Sequence, residues 1–387
     1  MQPTGVMETT KTTNPLKELL SYGQSMWLDY IRRDLFTTGQ LKKMIAEDGL
    51  RGMTSNPSIF EKAIGESSLY DDILKSLSAR KDLDTTARYE QIAVRDIQDA
   101  ADTLRPVYES SKFRDGFVSL EVSPFLARKT QESIDEARRL WKTVNRDNLM
   151  IKIPGTAEGL PAIRQLLSEG INVNVTLLFA QEVYEKVAEA YLAGIEDLAS
   201  HGGSLNRIAS VASFFISRID TLVDSKLEEK LKTTTDAKQQ ALLKSLLGKV
   251  AIANGKLTYQ RYLRLFSGAR WQALAAKGAK TQRVLWASTS TKNPHYRDVL
   301  YAEELIGPDT VDTMPPTTIE AFRDHGRVRN SLTEDIPGAQ KTLDDLAKAG
   351  ISIKEVTDKL TNDGVNLFAD AFEKLLAAVE RSTQWKG

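Results

Sequence analysis

A lysine inside an apolar run is the first residue in this sequence that asks for a chemical explanation. Lys152 stands in IKIPGT (151–156), between Ile151 and Ile153. Lysine is seldom buried without purpose. Burial disfavours the ammonium form and leaves the neutral amine available as a nucleophile toward a carbonyl. The plainer alternatives are a lysine that snorkels at a strand end, or one half of a buried ion pair with Glu121. Glu121 in FVSLEVS (117–123) and Asp29 in SMWLDYI (25–31) are acids in comparable settings. Two carboxyl groups in different environments can divide the proton transfers that imine chemistry requires. Either can instead serve only to neutralise Lys152.

Further polar residues sit where a substrate would be held. Asn56, Asn174, Thr176 and Ser213 can bond hydroxyl groups or a water, or can satisfy one another inside a polar interior. Arg218, Ser288 and Lys292 follow the ends of apolar runs, where charge-assisted bonds can hold a phosphate. For an isolated cation the alternative is plain surface exposure.

Other chemistries lack their residues. No GxGxxG follows a strand-like run and no GxxxxGK[ST] or GxSxG occurs, so nucleotide binding and a serine elbow have no support. The three histidines, His201, His295 and His325, lack ligand spacing, and there is no cysteine. The reading is therefore no metal and no organic cofactor.

The elements that must position these residues alternate. Strand-like runs fall at 25–31, 51–56, 117–123, 148–154, 172–179, 208–215, 283–288 and 310–314. Helical spacing fills the gaps, as in Ile134, Ala137, Leu140, Trp141 and Val144. Such alternation predicts an α/β fold with a parallel sheet, and about eight strands predict a (β/α)8 TIM barrel. An open doubly wound sheet is the alternative. Within NVNVTLL, Asn172, Asn174 and Thr176 share one parity while Val173, Val175 and Leu177 share the other. If helices cover the outer face, the polar parity points into the barrel and converges near the strand ends, the usual place of a barrel site.

Residues 56–117 and 219–282 read as long helical excursions. We read one domain over 1–387, with 1–14 as a flexible tail and helices over 335–387 packed on the outside of the barrel. Lys plus Arg equals Asp plus Glu at 52 each, which gives no reason to expect nucleic acid or an anionic membrane as partner. The opening residues lack an apolar core of signal-peptide length, and no run approaches roughly 18 apolar residues. A cytoplasmic location is the expectation.

Six blocks closely resemble the transaldolase family: GMTSNPSIFEKAI (52–64), VSLEVSPFLA (118–127), LMIKIPGTAEG (149–159), INVNVTLLFA (171–180), ASVASFFISRID (209–220) and VLWASTSTKNP (284–294). The resemblance runs from about 15 to about 380 and is greatest to the longer bacterial type related to fusions with glucose-6-phosphate isomerase. It implies a barrel circularly permuted relative to other class I Schiff-base aldolases, with extra helices. It also implies transfer of a dihydroxyacetone unit between sugar phosphates in the pentose phosphate pathway; for the assembly the expectation is a monomer or homodimer.

By position, Lys152 matches the family's Schiff-base lysine and Asp29 its acid/base aspartate. Glu121 matches the glutamate that works through a water held by Thr176. Asn56, Asn174 and Ser213 match contacts to the dihydroxyacetone portion, and Arg218 and Ser288 match phosphate contacts. Shorter members carry an arginine where this sequence has Ser290, and Lys292 is the substitute expected here. Phe215 replaces the tyrosine of related enzymes that release free dihydroxyacetone. The alternatives that stay open are such an aldolase and a non-catalytic sugar-phosphate binding barrel.

Overall fold

Eight short runs rich in β-branched and aromatic residues each pair with the next, and the eighth returns to the first. In a computed structural model describing residues 14–384, the strands are β1 (Gln24–Asp29), β2 (Gly52–Thr54), β3 (Phe117–Glu121), β4 (Leu149–Pro154), β5 (Val173–Leu178), β6 (Ser210–Phe215), β7 (Arg283–Ala287) and β8 (Thr310–Met314). All neighbours are parallel and the barrel is closed in sequence order. The open doubly wound alternative is thereby excluded. The expected tail over 1–14 lies outside the described residues except for Asn14, which caps the helix Pro15–Glu18 by accepting from the Leu16 N–H.

Closure makes the two parities of each strand unequal. Outward positions such as Ile151, Ile153, Val173 and Val175 are buried under the helices. Inward positions build a floor and a mouth. At the floor, Arg283 donates to Ser25 Oγ and to Asp115 Oδ1, each at 2.8 Å, and Ser25 Oγ donates to Asp115 Oδ2 at 2.8 Å. Above it the indole of Trp27 fills the bore. A Cβ on Gly52 would come within 2.5 Å of that ring, so β2 must carry glycine there.

One strand breaks the expected alternation. An extra residue enters β5 between Val175 and Leu178, and Leu177 takes the left-handed conformation with φ 62°. Leu177 thus leaves the outward row assigned to it, and its side chain meets Gly364 of the last helix.

The long excursions form as expected. Helices Pro57–Gly65, Asp71–Ser78 and Thr85–Ser110 lie between β2 and β3, and helices Ser217–Thr233, Ala237–Leu246, Val250–Leu265 and Ala269–Ala275 between β6 and β7. Asn56, Asp84 and Asp236 cap three of them through side-chain oxygens. The C-terminal helices were expected on the outside of the barrel. Ile336–Lys348 packs on Val250–Leu265, and Ile353–Gln384 packs on Pro57–Gly65, on Ser217–Thr233 and on β5, bringing Phe368 to the mouth. Among the described residues no helix is long and apolar enough to cross a membrane.

The floor network generates a stability prediction. Arg283→Met leaves Asp115 buried without its cation and should cost about 3–5 kcal/mol in urea unfolding. A loss below about 1 kcal/mol would contradict the role of this ion pair in holding the barrel together.

Candidate active site

The polar ends of the inward rows surround a cavity of about 430 Å³ at the C-terminal mouth of the barrel. Its size suits a sugar phosphate. Lys152, third from the end of β4, is anchored by donating from Nζ to the carbonyl of Ser55 at 2.9 Å. Glu121 ends β3 in register with Lys152, and its Oε2 lies 3.3 Å from Nζ, within ion-pair reach but without hydrogen-bond alignment. Both side chains are 7% exposed. Burial pushes the Glu121 carboxyl above its ordinary range, and the charge of Lys152 opposes that rise. Among the described residues Thr176, on the neighbouring β5, has no hydrogen-bond partner for its buried Oγ1, and Glu121 has none for its Oε2. These are two polar atoms with unused bonding capacity beside the amine.

Asp29 ends β1 across the same cavity. It accepts from Thr54 Oγ1 at 2.7 Å, and Thr54 shares a 2.7 Å bond with Thr313 on β8. Burial raises the pKa of Asp29, against the bond from Thr54 and the positive charges of Lys152, Lys292 and Arg218. The carboxyl is thus held between a desolvated site that favours the acid and a ring of cations that favours the base.

Arg218 and Lys292 stand on the rim. Arg218 is the second residue of Ser217–Thr233 and lies over the Phe215 ring at 5.3 Å. Ser288 follows β7 in the left-handed conformation, φ 57°, an uncommon state for a non-glycine residue. That turn sets its hydroxyl 3.2 Å from Ser217 Oγ and its carbonyl 3.1 Å from the Ser217 N–H, tying β7 to the helix that carries Arg218. Lys292 Nζ donates to Ser290 Oγ at 2.8 Å, so the serine at the expected arginine position is bonded to the lysine expected in its place. Burial and the nearby charges of Arg218 and Lys62 depress the Lys292 pKa, while Asp29 opposes them.

The cavity wall thus includes Asp29, Asn56, Lys152, Thr176, Ser213, Arg218, Ser288 and Lys292 from the sequence-derived set. Asn56 lines it while its Oδ1 accepts from the Ile59 N–H at 3.0 Å. Glu121 and Asn174 stand behind the wall. Asn174 is fully buried, donating to Ser119 Oγ at 3.0 Å and accepting from Ser213 Oγ at 2.7 Å, so its direct partner is Ser213 rather than the cavity.

Sequence reasoning missed Thr54, Thr313, Ser58, Lys62 and Phe368, all on the wall. Lys62 could have been found, because it follows Ser58 by four residues and shares its helix face. Phe368 gave no signal, since an aromatic residue in an amphipathic helix reads as core. Among the described residues no group of three or more His, Asp or Glu side chains is placed to hold a metal ion.

Comparison with known proteins agrees with this geometry. Residues 26–379 match the family described as Transaldolase/Fructose-6-phosphate aldolase. The chain is 48% identical to a protein named Transaldolase from Trichodesmium erythraeum (strain IMS101) over 375 residues, 96% of this chain and 98% of that one. It is 46% identical to a Transaldolase of Thiobacillus denitrificans (strain ATCC 25259 / T1) over 366 residues, 95% and 99% of the two chains. A Transaldolase 2 of Nostoc sp. (strain PCC 7120 / SAG 25.82 / UTEX 2576) is 48% identical over 370 residues, 95% and 97%. With a barrel whose mouth gathers a buried lysine, two desolvated acids and a cationic rim, the chain belongs to the transaldolase/fructose-6-phosphate aldolase family.

Proposed function

We infer that the chain is a transaldolase, converting sedoheptulose 7-phosphate and glyceraldehyde 3-phosphate into erythrose 4-phosphate and fructose 6-phosphate in the pentose phosphate pathway. The observation that carries the reading is the Lys152–Glu121 contact at 3.3 Å facing Asp29 across one cavity. Lys152 Nζ adds to the ketose carbonyl and forms a carbinolamine. Glu121, with a water held by Thr176, protonates the departing hydroxyl, and loss of water leaves an iminium. Asp29 then takes the proton of the C4 hydroxyl. The C3–C4 bond breaks, its electron pair moves to the iminium nitrogen, and the aldose leaves. The enamine attacks the acceptor aldehyde, and the steps reverse.

Arg218, Ser288 and Lys292 hold the phosphate of donor and acceptor at the rim, with Lys62 close enough to add its charge. Asn56, and Ser213 steadied by Asn174, hold the three-carbon end. Phe215, without a hydroxyl, offers no group to activate water near the cavity, which favours transfer over release of dihydroxyacetone. We read the enzyme as a monomer or a homodimer. We place the enzyme in the cytoplasm, where its sugar-phosphate substrates are made.

Lys152→Ala should abolish turnover while the circular dichroism spectrum stays that of the wild type. Activity near wild type in this variant would remove the Schiff base from the mechanism. Arg218→Ala and Lys292→Ala should each raise KM for phosphorylated sugars about tenfold or more with kcat nearly kept, because they remove binding common to ground and transition states. A pure kcat loss would speak against phosphate contact.

Asp29 works as a base, so activity falls as pH drops through its raised pKa. The acid limb should therefore lie above that of a solvated aspartate. Thr54→Val removes the bond that lowers this pKa and should move the limb to still higher pH. A limb that stays in place, or moves down, would take Asp29 out of the base role.

A further inference from the structure

Phe368 belongs to the last helix, far in sequence from every other wall residue, yet its ring centroid lies 5.8 Å from Lys152 Nζ. The side chain is only 8% exposed and shares the cavity wall with Lys152, Thr176 and Phe215. Its position is fixed from both sides. One turn earlier Gly364 lies so close to the bulge of β5 that a Cβ would be 2.8 Å from Leu177 Cδ2. One turn later Phe372 meets Tyr89 and Phe125 edge-on, each at 5.7 Å between centroids. The stripe 364, 368, 372 has the four-residue spacing of one helix face, and that face closes the barrel over the reacting lysine.

We propose that Phe368 is a specificity-determining roof over the Schiff base, an apolar shield that commits the bound three-carbon unit to transfer instead of release. The proposal rests on the transaldolase reading of the same site. After the C3–C4 bond breaks, the enamine carbon C3 carries the nucleophilic electron pair. A proton delivered to C3 restores an iminium. Water then adds at C2, the C2–N bond breaks with proton transfer to nitrogen, and free dihydroxyacetone leaves Lys152 as the amine. The sum is enamine plus water giving amine plus dihydroxyacetone. Release therefore needs a proton donor and a water near the enamine. A phenyl ring supplies no proton and excludes water from its side of the site. Its π face also tolerates the positive iminium that precedes cleavage.

The test measures two rates on the same sample, dihydroxyacetone release from fructose 6-phosphate alone and transfer to erythrose 4-phosphate. The ratio of release to transfer is independent of the folded fraction. Phe368→Ser should raise this ratio about tenfold or more, whereas Phe368→Leu, which stays apolar, should keep it within about threefold of wild type. An unchanged ratio in Phe368→Ser overturns the shield. An equal rise in Phe368→Leu overturns it too, because loosened packing and not polarity would then be the cause. A wild-type protein that performs no transfer overturns the functional reading and the shield with it, a result distinct from normal transfer with an unmoved ratio.

Discussion

Bringing an amine out of water into the mouth of a closed barrel is costly, and the arrangement around Lys152 answers that cost. The Nζ keeps one bond, to the carbonyl of Ser55, and one nearby carboxylate, Glu121. A buried lysine without a partner would destabilise the fold. The contact with Glu121 at 3.3 Å limits that cost without a hydrogen bond that locks the pair. Asp29 across the cavity feels the same low dielectric, with Thr54 and the cations of the rim resisting the rise in its pKa. The chemistry depends on this balance of desolvation against fixed charge.

The rest of the barrel serves that balance in layers. The Arg283–Asp115 pair and Trp27 fill the floor and close that end of the bore. The excursion after β2 brings the helix Pro57–Gly65 to one side of the cavity, and the excursion after β6 starts with the helix that carries Arg218. Ser288 accepts a left-handed backbone to join β7 to that helix. Strain of this kind, of order 1–3 kcal/mol, persists where surrounding contacts hold it, as both bonds to Ser217 do here.

Much of this was legible in the sequence, for identifiable reasons. Strand positions follow from apolar runs of fixed length, and a polar row within a doubly covered strand has nowhere to point but inward. Lys152, Glu121 and Asp29 were therefore visible as a set before any coordinates. Asn174 shows the limit of that reasoning: parity sends it inward, but only geometry reveals that Ser119 and Ser213 use both ends of its amide. The bulge at Leu177 is invisible in NVTLLF because the extra residue is as apolar as its neighbours. Long-range closure is equally hidden. Nothing local to NLFADAF separates a helix lying on the barrel's flank from one that crosses its mouth, and Phe368 reaches the site through contacts set by Leu177, Tyr89 and Phe125.

The central claim is a covalent bond between Lys152 and a three-carbon unit cut from a ketose phosphate. Borohydride reduction of the protein mixed with fructose 6-phosphate, followed by peptide mass spectrometry, reads that bond directly. A reduced dihydroxyacetone adduct on Lys152 is the expected result, and it establishes both nucleophile and cleavage. Folded protein with no adduct, or with the adduct on another lysine, would contradict the account.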